Sequence, residues 1–127
     1  MSHFSTIKTK LKDRKALLHA LMLLGHGVDV DHTLKNPTGH DHEEVFVNIS
    51  ANKNIGFRWN EITKSYELVT DLQTWNEPVP VERFLDKLTQ EYALWVVTMA
   101  AEEQGYQVEE QNVNTDGSVE LLVTRWT

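Results

Sequence analysis

Histidines and carboxylates crowd one stretch of the chain. His26, Asp29, Asp31 and His32 fall in GHGVDVDH, and His40, Asp41, His42, Glu43 and Glu44 follow in GHDHEE. Imidazole nitrogens and carboxylate oxygens are what a zinc or nickel ion takes, three or four at a time, at roughly 2.0–2.2 Å. His40 and His42 stand two residues apart, so on an extended segment both leave the same face and can reach one ion. If the loop 26–44 folds back, His26 and His32 complete the set. A divalent metal held there, in a metal-binding protein or a metal-dependent enzyme, is the one cofactor these residues support. The plainer alternative is a polar surface loop that contains histidines, since an H-x-H spacing is common.

Other chemistry has less behind it. The sequence contains no G-x-S-x-G elbow, no P-loop and no G-x-G-x-x-G fingerprint. With no cysteine there is no disulfide framework, thiolate zinc site or cysteine nucleophile. The pairs Glu102–Glu103 and Glu109–Glu110 fall where water normally solvates them, whereas a general acid needs burial to raise its pKa. No catalytic residue is therefore assigned. Trp75, in the polar segment DLQTWNEPVP, and Trp126, next to the C-terminus, are candidates for anchoring a protein partner. Their alternative is packing over the rim of the core, while Trp59 and Trp95 share the apolar faces of their elements and are expected inside.

The bulk composition sets the frame. The 127 residues, 40% apolar and 9% aromatic, suit one globular domain over 1–127. A net charge of −7 opposes sequence-independent binding to phosphate backbones, although Lys8, Lys10, Lys12, Arg14 and Lys15 make the N-terminus locally basic. The longest apolar run, ALWVVTMAA, is far short of the roughly 20 residues a bilayer span needs. Neither a membrane nor nucleic acid is expected as a partner. The N-terminal stretch is not of signal-peptide type, and a cytoplasmic location is expected.

Periodicity then places the elements. STIKTKL reads as a first strand, and Asp13 as the N-cap of a short helix carrying Leu17, Leu18, Leu21 and Leu24 and closed by Gly25. GVDV reads as a short strand, and DHTLKNPTGHDHE as a loop. Val45–Ala51, Ile55–Trp59 and Tyr66–Leu72 alternate as a three-strand meander. From Val81 to Gly105 a long helix carries Phe84, Leu85, Leu88, Tyr92, Trp95, Val96 and Met99 on one stripe. Asp116-Gly117 marks a closing hairpin. The fold class expected is α+β: a mostly antiparallel sheet of five to six strands with two helices on one face.

The stretches MSHFSTIKTKLKDRKALLHALMLLG and NIGFRWNEITKSYELVTDL, with Tyr92-Ala93 in the long helix, resemble the hypothetical chloroplast reading frame thirty-five family of cyanobacteria and algal plastids. The resemblance runs over essentially the whole chain, in order. It implies a compact α+β domain without an established catalytic set. It also implies an accessory protein whose partner is another protein, an ATPase or a small redox protein. The cytosol of a cyanobacterium or the plastid stroma is the compartment implied. The histidine-rich loop at Gly39–Glu44 and the longer NEITKS turn depart from the family pattern, and a phage genome as source, with the infected host's cytosol as compartment, would account for both.

Overall fold

A computed structural model describes residues 4–30, 33–35, 42–49, 52–116 and 118–125, with the backbone alone at 33–35, 42–44 and 52–54. β1 (Ser5–Lys8) alternates half-buried and exposed residues, turning Ile7 inward and Thr6 and Lys8 outward. α1 (Arg14–Leu23) starts where Asp13 accepts a hydrogen bond from the Ala16 amide at 3.0 Å, the cap its side chain predicts. It ends at Gly25, whose φ of +88° favours glycine.

β2 (Val28–Val30), β5 (Val47–Ile49), β6 (Asn52–Asn60) and β7 (Ser65–Thr70) join β1 in one antiparallel sheet of order β1-β7-β6-β5-β2. Register places Ile7, Leu68, Phe57, Val47 and Val30 in one row across all five strands. Directly opposed residues share a face, so this row meets the helices as far as Val47, while Val30 on the edge strand is exposed. Leu17 and Leu21 from α1 and Phe84 and Leu88 from α2 (Val81–Glu103) close over it. Both helices lie on that face, as the sequence pattern requires. On the opposite face Val69 and Val45 pack with Phe4. The β6–β7 turn is held by the Asn60 side chain, which accepts from the amides of Ile62 and Thr63.

Three features differ from the sequence reading. The segment read as a loop contains an antiparallel pair, β3 (Thr33–Lys35) and β4 (His42–Glu44), which stands outside the main sheet. The closing hairpin, β8 (Tyr106–Val113) and β9 (Val119–Arg125), also forms a separate two-stranded ribbon. It packs along α2, where Gln111 donates to Thr98 Oγ1 at 3.1 Å.

The third difference lies in α2, which is about 34 Å long at 1.5 Å per residue. Its first half is spent on the sheet, where Phe84 and Leu88 are buried. Trp95, in the helix's second half, lies outside that core and is only half-buried, against His19 of α1 with ring centroids 5.2 Å apart. Met99 is half-buried and Val96 exposed. Trp59 likewise lies half-buried, edge-on to Tyr66 at 5.0 Å.

Candidate functional site

Of the four histidines expected to hold a metal, only His26 and His42 fall within the described residues. His32, His40 and Asp41 lie outside the described residues, as does Trp126. His42 is in β4, in register with Lys35. His26 follows α1 and stands edge-on to Phe84, with centroids 5.5 Å apart. Among the described residues no group of three or more His, Asp or Glu gathers in a way that holds a metal ion.

Trp75 is less exposed than its polar neighbours imply. Asp71, buried at the end of β7, accepts from the Gln73 amide through Oδ1 and from the Thr74 amide through its carbonyl, which turns the chain inward. The indole then meets Phe84 edge-on at 5.5 Å, and its N–H donates to the Val79 carbonyl at 2.8 Å. Half-buried, it packs against the main core from the loop between β7 and α2.

The surface that stands out is one that sequence periodicity missed. No residue of β8 or β9 is fully buried. Their register opposes Val108 to Val123, Gln111 to Leu121 and Val113 to Val119. The Gln111–Thr98 bond shows that this side faces α2. On the outer side Glu110 opposes Leu122 and Asn112 opposes Glu120. Leu122 is 56% exposed there. A register shift between Val108 and Glu110 places Glu109 out of step, its carboxylate accepting from the Thr124 hydroxyl at 2.9 Å. The outer face is thus one exposed leucine among three glutamates. Elsewhere, α2 leaves Val96 and Val97 exposed. Alternation shows that such strands have two faces, but not that a single helix covers only one of them.

Glu102, Glu103, Glu109, Glu110 and Glu120 are all exposed, the solvated role expected of them. Asp116, in the ribbon's turn, is held below its ordinary value by hydrogen bonds from the Ser118 hydroxyl and amide. That is turn chemistry. No helix among the described residues is long and apolar enough to cross a membrane.

A family profile described as "Protein of unknown function (DUF1257)" matches residues 20–122. The chain is 36% identical to the uncharacterized protein ycf35 of Pyropia yezoensis, over 99% of this chain and 98% of that one. With the ycf35 proteins of Guillardia theta and Cyanophora paradoxa the identities are 40% and 33%, at the same coverage. No solved structure matches significantly. With the profile covering most of its length and relatives aligned almost end to end, the chain belongs to the DUF1257 family, which includes the ycf35 proteins.

Proposed function

We propose that this chain is a small non-enzymatic accessory domain that binds another protein through the outer face of the β8–β9 ribbon. The observation that carries this reading is the ribbon itself. Two strands are marginal by themselves in water, and here one helix covers one side while the other holds an exposed leucine. Three glutamates around Leu122 select a partner whose surface is basic around an apolar recess. A large apolar side chain seated in such a recess, with charges excluding the wrong partners, is how a small interface gains specificity. An ATPase or a small redox protein, the partner classes implied by the family resemblance, is tested first. The setting that suits the reading is the cyanobacterial cytosol or plastid stroma.

The test is affinity capture from a cyanobacterial lysate on three baits: the wild-type chain, Leu122→Asp, and Glu110→Lys combined with Glu120→Lys. All three substituted side chains are exposed, and the Asn114–Glu120 hydrogen bond that Glu120→Lys gives up is exposed too, so thermal stability should change little. The expected result is a defined partner retained by the wild type and lost from both variants. It should also be released as salt rises, because screening shortens from about 10 Å at 0.1 M to about 3 Å at 1 M. Identical capture on all three baits overturns the proposal. So does a wild-type dimer in sedimentation that Leu122→Asp dissociates, since the face would then belong to a second copy.

A further inference from the structure

A second feature is independent of the ribbon. Between the end of α1, the loop before α2 and the first turns of α2 lies a cleft of about 240 Å³. Its floor is the buried ring of Phe84, edge-on to both Trp75 and His26. Leu24, Pro78 and Val79 form the apolar walls. Three ionisable side chains complete the lining: His26, Glu77 and Lys87. Among the described residues none of the three side chains makes a hydrogen bond or an ion pair within the chain. Binding sites share this form, an apolar cavity with a few convergent polar groups that fix orientation.

Size and charge narrow the ligand. The volume equals about eight water molecules at roughly 30 Å³ each, and falls below the roughly 300–1,000 Å³ of sites for drug-sized molecules. A simple anion would satisfy Lys87 and leave Glu77 facing it, and a simple amine would do the reverse. One small molecule that carries both charges and an apolar body matches every group. We infer that the Phe84 cleft binds a free amino acid with an apolar side chain. Its carboxylate meets Lys87 and His26, its ammonium meets Glu77, and its side chain lies on Phe84.

The site has a built-in reporter. The Trp75 indole N–H donates to Val79, which lines the cleft. The ¹⁵N-labelled full chain is titrated with L-phenylalanine into the millimolar range, following the Trp75 Nε1–H resonance, assigned through Trp75→Phe. A saturable shift is expected. 3-Phenylpropanoate and phenethylamine, each carrying one of the two charges, should bind roughly tenfold more weakly, the scale of one charge-assisted hydrogen bond. Lys87→Met and Glu77→Gln should weaken L-phenylalanine to a similar extent without changing the melting temperature. Leu122→Asp should bind it as the wild type does, which separates this site from the ribbon. No saturable shift overturns the inference. Equal affinity for the singly charged analogues, or affinity indifferent to both cleft variants, overturns it as well.

Discussion

The phenolic oxygen of Tyr92 lies 2.8 Å from the amide nitrogen of Asp13 and accepts its hydrogen; the Lys12 amide donates to the same oxygen at 2.9 Å. Asp13 is the residue that caps α1. A side chain from the middle of α2 therefore sets the point where α1 begins, its cap lying 79 positions earlier in the chain.

Removing that oxygen should cost stability without disturbing the packed ring. Tyr92→Phe is expected to lower the unfolding free energy by about 1 kcal/mol, the net worth of an ordinary hydrogen bond, because water can reach the two freed amides. Urea denaturation measures it. A loss below roughly 0.3 kcal/mol would mean that water replaces the phenol fully and that Tyr92 does not position α1.

Trp75 should matter through packing and through its N–H separately. Trp75→Phe keeps an aromatic ring against Phe84 but gives up the bond to Val79, a loss of about 1 kcal/mol. Trp75→Ala removes both and should cost about 2–3 kcal/mol, less than the roughly 3–5 of a fully buried aromatic. Equal melting temperatures for the alanine variant and the wild type would show that the loop before α2 is held by something else.

What the sequence disclosed follows the range of the interactions. Asp13 as cap, Gly25 as stop and the meander of β5, β6 and β7 are local, so residue type and alternation suffice to locate them. The division of labour in α2 is not local. Phe84, Leu88, Trp95 and Val96 belong to the same stretch of helical periodicity, which identifies an apolar stripe without naming the neighbour it meets or where that neighbour ends. The same limit applies to His26. Its type marked it as a candidate metal ligand, and its ring contact with Phe84, and the cleft both share with Glu77 and Lys87, join segments that no spacing connects.

Gly105 joins α2 to β8 with φ +88°, and a Cβ built there meets nothing within 4 Å. Any penalty for a side chain at this position is thus conformational rather than steric crowding by neighbours. Gly105→Ala is expected to destabilise by about 1–2 kcal/mol. Gly105→Asn should lose less, since asparagine tolerates the left-handed region better. Thermal unfolding of the two variants decides it. Equal losses would assign the cost to something other than backbone conformation.

Glu67 supplies the pH prediction. Only 8% exposed on β7, it accepts from the Asn60 side-chain amide and from the Arg58 guanidinium at 3.2 Å. The Asn60 hydrogen bond, aided by Arg58 and opposed by burial, holds its carboxyl below the ordinary value of 4.5. The folded state therefore binds this proton less readily than the unfolded chain. The resulting stabilisation is complete above pH 4.5 and disappears as pH falls through the lower, folded-state pKa. Glu67→Gln removes the charge and this linkage together. The variant should be less stable than the wild type at neutral pH, and its deficit should shrink as pH falls to about 3. Melting temperatures of both proteins across that range provide the measurement. A deficit that stays constant or widens in acid would mean that the ionised carboxylate of Glu67 adds nothing to the fold.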